Sequence, residues 1–358
     1  MMKMRNVSTP MQLVVVLVVA SSFVLHADER QRDPGGLFLI KQADKWGYID
    51  ATGRVVIPAR FDLAWRYSDG LAYMRLGSKY GYIDRTGRIV IKAQFDNALS
   101  FSEGLAAVRM GNKWGYINKA GTLVVTPQFQ SREFDPADET TPPVHAFSDG
   151  LALVEVDDVP VYIDKAGREI INLKSQRRIE VQGAESFSEG LAGVEVAGKW
   201  GWIDRLGEIV IAPQFDDIQP FTHGLAAINL RDKWGYIDKT GKIVIKTQFD
   251  YASAFSGGVS RVEVAGKWGY VDTTGKLVIG KRFDRAQDFS EGLAAVCIGE
   301  KWGFVDLGGR VAIALDLPFE PEPFREGLAQ VTGQGEQSYI DRNGRYVWRS
   351  ISSARPER

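Results

Sequence analysis

The chain has little of what most chemistry requires. In 358 residues there is one cysteine, Cys297, and there are three histidines, His26, His145 and His223. A single cysteine cannot close an intramolecular disulfide or build a cysteine-rich zinc site. Two histidines beyond the N-terminal stretch, far apart in sequence, leave no basis for a histidine relay or metal centre. Charge of one sign is also missing: 44 Lys and Arg stand against 45 Asp and Glu, a net charge of −1. Electrostatic capture of nucleic acid is therefore excluded as the expected mode. The many Gly-Lys pairs never complete a phosphate loop of the form Gly-x4-Gly-Lys-Ser/Thr. No cofactor is expected. No long amphipathic helix is visible, and the one extended apolar run lies near the N-terminus.

What is present is glycine and aromatic side chains: Gly 38, Phe 18, Tyr 12 and Trp 9. Hydrophobic residues at 44% and charged residues at 25% support a packed core. Abundant glycine with abundant aromatics, without low complexity, points to many turns between short aromatic strands.

The N-terminus reads as an address. Lys3 and Arg5 precede a charge-free stretch from Met11 to Leu25, and charge returns at Asp28. A basic start, a short apolar centre and small residues after it form a secretory signal, removed after Ala27 or Ala20. An uncleaved N-terminal anchor is the alternative, although about 15 residues are short for a spanning helix. The expected division is a signal over 1–27, a linker over 28–35, a repeat array over 36–348 and a polar tail over 349–358. The location is periplasmic or secreted, with membrane contact only through the N-terminal segment if it stays.

The array emerges on comparing the chain with itself. Lys45-Trp46-Gly47-Tyr48-Ile49-Asp50 recurs from Lys79, Lys113, Lys199, Lys233, Lys267 and Lys301, at steps of 34 residues within each run. Two copies are degenerate, Val161-Tyr162-Ile163-Asp164 and Ser338-Tyr339-Ile340-Asp341, which makes nine units. Insertions at 130–145 and 172–186 stretch the steps around the fourth to 46 and 40.

Each unit reads as a β-meander. A run such as Leu105–Met110 is followed by a two-residue hairpin signal, Gly111-Asn112, and a second strand from Lys113. A turn of the form Asp-x-x-Gly, as in Asp238–Gly241, leads to a β-branched third strand, Ile243-Val244-Ile245. The fold class is all-β, a tandem array of three-stranded meanders. A sheet that small cannot bury its own aromatic face. Stacking is expected to bury Trp46, Trp114, Trp200, Trp234, Trp268 and Trp302 as the repeated core, beside two phenylalanine ladders. Three strands per unit, and ends that start and finish in phase, favour an open curved solenoid over a closed β-propeller-like ring. The ninth unit and the tail suit an end cap.

These motifs resemble the WG-repeat family, named for the Trp-Gly pair within Lys-Trp-Gly-Tyr-Ile-Asp. The resemblance covers nearly all of 36–348: the pair, the Asp-x-x-Gly turn, the Phe and the Phe-Ser-Glu-Gly-Leu segment recur in fixed order. It implies a bacterial β-repeat protein that serves as an interaction scaffold, and carries over no catalytic residue.

Candidate chemistry is sparse. The aspartates of the Asp-x-x-Gly turns read as turn formers, since one per 34 residues cannot supply the six to eight oxygens calcium takes. Ser102 in Phe-Ser-Glu-Gly-Leu lacks the Gly before Ser of a nucleophile elbow. Cys297 reads as a small buried apolar residue. Trp65 and Trp202 fall off the main tryptophan ladder and are the expected exposed rings. The two insertions carry opposite charge, with Asp135, Asp138 and Glu139 in one and Arg177 and Arg178 in the other, and flank the aberrant fourth unit. They are the expected recognition region. The function expected is a non-catalytic exported scaffold, not an enzyme, for an unidentified protein or envelope component. A glycan-binding module using aromatic faces is the alternative.

Overall fold

A computed structural model describes residues 36–130, 142–157, 159–174, 181–333 and 335–350. The N-terminal segment 1–27, the linker 28–35 and tail residues 351–358 lie outside the described residues. Every named element is a β-strand, and the strands form nine antiparallel sheets among the described residues.

The first sheet contains β1 (Leu37–Gln42), β2 (Lys45–Asp50) and β3 (Val55–Phe61), in that order. The second adds a short strand: β4 (Leu63–Ala64), β5 (Ala72–Leu76), β6 (Lys79–Ile83) and β7 (Ile89–Phe95). Six of the nine sheets have four strands. The three-strand count therefore needs correction. The linker from Asp96 to Phe101 contains a two-residue strand, Asn97–Ala98, paired with Leu105–Met110. Two residues are too short to show alternation. In the fourth and ninth sheets a single bridge, Val144 to Val154 and Pro321 to Val331, holds the same place. Likewise Val181–Ala184, inside the expected second insertion, is the inner strand of the fifth sheet.

Burial orients the sheets. The first long strand is buried along most of its length, as in Leu105–Met110, whereas the third, as in Leu123–Phe129, exposes four of seven residues. The short strand and the first long strand lie inward and the third long strand forms the outer wall.

The glycine of the Trp-Gly pair has a backbone reason. In the regular repeats the third strand slips twice against the second: Trp234 faces Phe249, Tyr236 faces Ile245 and Ile237 faces Ile243. The slips press the third strand's backbone onto the glycine. A Cβ at Gly235 would sit 2.6 Å from the Ile245 carbonyl oxygen and 2.7 Å from the Thr247 nitrogen. The fourth and ninth repeats carry Val161 and Ser338 there, and each shows only one slip, with a third strand of four residues. Losing the glycine and losing the extra slip go together.

The sheets close into a ring. Phe38, Ile40 and Ile49 of the first pack against Leu328 and Tyr339 of the ninth. Tyr339 Oη donates to the Leu39 carbonyl at 2.7 Å, and the Phe38 and Tyr339 rings meet edge-on at 5.5 Å. The expected open solenoid is thereby overturned in favour of its alternative, a nine-bladed propeller-like ring. The in-phase ends do not signal openness, because closure here is by side chains across the junction rather than by a strand shared between the two ends. The ninth repeat is a seam rather than an end cap, and Arg349 belongs to its last strand.

Candidate interaction site

The repeated polar residues bind one blade to the next. In the Ser-Glu-Gly-Leu turns, Glu103 and Gly104 both have positive φ, 51° and 90°. Only the second is a glycine, so the first residue is strained in every such turn. Its carboxylate accounts for it. Glu189 accepts from the backbone N–H of His223 and Gly224 in the next blade, at 2.7 and 3.0 Å, and is approached by Lys239 at 3.2 Å. The serine of the same turn donates onward, Ser102 to the Phe147 carbonyl and Ser188 to that of Phe221. Each Asp-x-x-Gly aspartate caps its own turn. Asp238 accepts from the N–H groups of Thr240 and Lys242, and the Thr240 hydroxyl bond leads in holding its carboxyl below the usual range. Among the described residues no three His, Cys, Asp or Glu converge as a metal would require.

On the opposite face, hairpin lysines meet the aspartate that follows the third strand: Lys45 with Asp62, Lys79 with Asp96, Lys199 with Asp216, Lys233 with Asp250 and Lys267 with Asp284. The aspartate's second oxygen accepts an N–H from the next blade's hairpin, as Asp96 does from Gly111 at 2.7 Å. These five lysines are thus each neutralised by their own aspartate. Buried tyrosines add a third link. Tyr82 Oη donates to the Leu99 carbonyl at 2.8 Å and Tyr116 Oη to that of His145 at 2.7 Å, while each ring meets the next blade's phenylalanine edge-on.

The tryptophans of the repeated core lie between blades: Trp114, Trp234 and Trp302 are buried, and Trp46, Trp200 and Trp268 are half-buried. Trp65 is 43% exposed and stacks on Tyr73 at 5.9 Å. Trp202, expected to be exposed, is 1% exposed and needs correction. It replaces the tyrosine of the fifth repeat and inherits the inter-blade position, against Phe215 and Phe221. Cys297 is buried and donates its thiol to the Gly299 carbonyl. Asp135, Asp138, Glu139, Arg177 and Arg178 lie outside the described residues.

Two inner-wall clusters escaped the sequence reading. Between blades 5 and 6, Glu185 and Asp217 are both held above the usual carboxylate range. Burial and then the Asp217 charge push Glu185 up to about 8, and burial followed by Glu195 raises Asp217. The signal was available: the fifth repeat has Gly183 and Gly193 where side chains stand elsewhere, and Cβ atoms there would lie 3.1 Å from Glu195 Oε2 and 3.0 Å from Glu185 Oε2. In the folded chain Glu185 keeps its proton until about pH 8, against an ordinary value of 4.5. Unfolding releases that proton, so its contribution to stability declines as pH rises through that window. Glu185→Gln is expected to raise the urea midpoint at pH 8.5 and leave it nearly unchanged at pH 4. A midpoint difference independent of pH would contradict this. Between blades 7 and 8, Ser253 donates to Asp288 at 2.6 Å, and Arg261 approaches Asp288 at 3.1 Å with its guanidinium over the Trp268 ring at 5.2 Å. Ser260-Arg261 replaces an Ala-Ala pair present in the third, sixth and eighth repeats.

The geometry defines a class first: a closed ring of repeated β-blades whose recurrent polar groups serve as fasteners. The WG containing repeat model matches residues 46–80, 80–114, 114–159, 162–200, 200–234, 234–268 and 268–302. The chain belongs to the WG-repeat family. No curated protein matches it. Among solved structures, a crystal structure of the eukaryotic initiation factor is similar over 89% of this chain and 96% of that one, with a TM-score of 0.59 and 13% identity. That likeness concerns the fold alone. The C-terminal WD40 domain of Sif2 gives a TM-score of 0.44 at 11% identity, covering 74% of this chain and 89% of that one. Kluyveromyces lactis Hsv2p gives 0.41 at 9%, covering 68% and 92%.

Proposed function

We propose that this protein is a non-catalytic, exported scaffold that holds a protein or envelope component at the middle of its ring. The observation that carries the reading is where the repeat pattern breaks. Both insertions lie between the third strand of one blade and the inner pairing of the next, from Phe129 to Val144 and from Leu173 to Val181. That connection sits on the hairpin face, where the Lys–Asp fasteners stand elsewhere. The fourth repeat has Val159 in place of the lysine, and Gln130 replaces the aspartate before it. The two insertions thus begin and end on a face whose Lys–Asp fastener is replaced at the fourth repeat. Export rests on the N-terminal sequence pattern. The glycan alternative gains little, because the repeat tryptophans do not form an exposed row.

The test is capture from envelope extracts with the chain lacking its N-terminal signal, compared with versions in which residues 131–141 or 175–180 are replaced by short Gly-Ser linkers. A specific partner is expected to be lost, at least about tenfold in recovered amount, with either replacement. Equal recovery by all versions would show that the mid-ring site is wrong.

A further inference from the structure

Among the described residues the first blade is built differently from the other eight. In blades 2–9 the inner edge of the first long strand carries a short strand or a bridge, as Leu63 and Ala64 pair with Arg75 and Met74. Among the described residues β1 has no such neighbour. Its edge groups are met by side chains from the ninth blade instead. The Gln337 carboxamide accepts from Lys41 N–H at 3.1 Å and donates to the Leu39 carbonyl at 2.9 Å. An antiparallel strand presents the same two partners, one acceptor and one donor, to such an edge. Gln337 occupies the tryptophan position of its repeat, so this departure from the motif places an amide against the edge. On the inner side Arg66 of blade 2 reaches across blade 1 to Glu322 of blade 9, with the two side chains 37% and 42% exposed. Exposed ion pairs of this kind are easily displaced.

We propose that the inner edge of β1 is a docking site for an extended polypeptide strand from a partner protein, which replaces the Gln337 amide and completes blade 1. Main-chain bonds to Leu39 and Lys41 supply the attachment, as in other strand additions. Side-chain selection comes from the position that Ala64, Ala98, Ala252 and Ala286 hold in other blades, each almost fully buried. Val144 and Ile218 hold it in two more blades and are buried as well, so the incoming strand carries an apolar residue there. The chain's own N-terminal residues are poorly matched: counting back from Leu37 as Ala64 counts back from Leu71 puts Arg30 at that position. This site is separate from the mid-ring surface and stands or falls without it.

The probe is a synthetic peptide copying Phe61–Gly70, the segment that fills the equivalent edge of blade 2, added to the full chain and followed by hydrogen exchange with mass spectrometry. Exchange across β1 is expected to slow as peptide is added. A peptide with Asp at the Ala64 position is expected to have no effect. Gln337→Ala removes the competing amide and is expected to tighten the peptide about tenfold. The wild-type titration decides the matter even if that variant loosens the ring. Unchanged exchange across β1, equal binding of the Asp peptide, weaker binding by Gln337→Ala, or protection confined to β5 would each overturn the proposal.

Discussion

Gly235→Ala is expected to destabilise blade 6 by about 3 kcal/mol, at the top of the usual range for overpacking. The added methyl would overlap main-chain atoms of the third strand, 2.6 Å from the Ile245 oxygen and 2.7 Å from the Thr247 nitrogen. A side chain could rotate away. Here the whole strand would have to lift, carrying Ile245 and Phe249 out of the blade's core. The control lies in the ninth repeat, where Ser338 already supplies a Cβ. Ser338→Ala removes one hydrogen bond, to the Val331 carbonyl at 3.0 Å, and is expected to cost about 1 kcal/mol. Urea denaturation followed by tryptophan fluorescence gives the magnitude. Hydrogen exchange across Lys233–Asp238 and Ile243–Phe249 shows whether the damage stays in one blade, as expected of a repeat array. If the alanine at 235 leaves the urea midpoint in place, the close approach is not what demands glycine.

Trp202→Ala is expected to cost on the order of 3–5 kcal/mol, the usual loss for emptying a buried aromatic site. The indole is 1% exposed and fills the space between the fifth and sixth blades. Trp202→Tyr is expected to cost about 1 kcal/mol or less, because a tyrosine occupies this position in seven other blades and donates its hydroxyl to the next one. Trp65→Ala is expected to stay within about 0.5 kcal/mol, as exposed substitutions do. Thermal unfolding of the three variants under one condition provides the comparison. A Trp202→Ala variant as stable as Trp65→Ala would place the indole outside the inter-blade core.

The difference between these two tryptophans marks how far the repeat pattern can be read. Both fall off the main tryptophan ladder, and that alone suggested exposure. Alignment within the repeat distinguishes them: Trp202 stands at the tyrosine position, while Trp65 lies in the connection before the Ser-Asp-Gly-Leu turn. Hairpins and Asp-x-x-Gly turns were legible because their hydrogen bonds close within a few residues, as Gly241 N–H does on the Asp238 carbonyl. The inner strands were not, since two residues give no periodicity. The Glu185 and Asp217 pair was missed, although Gly183 and Gly193 mark the place, since the two carboxylates meet only where blade 6 packs on blade 5. Gln337 looked like decay of the motif. It is the residue that reaches the first blade.

By itself, the amino-acid sequence determined the family, the number of units, the order of the long strands within each and the turns that join them, because every one of those depends on contacts within about one repeat. Tertiary structure decided that the array is a ring, that the inner edge of β1 is met by side chains, and that the recurrent acids, serines and tyrosines fasten neighbouring blades. Closure depends on small rotations accumulated over nine blades, and on the meeting of Leu39 with Tyr339, 300 residues apart. No local pattern specifies that sum.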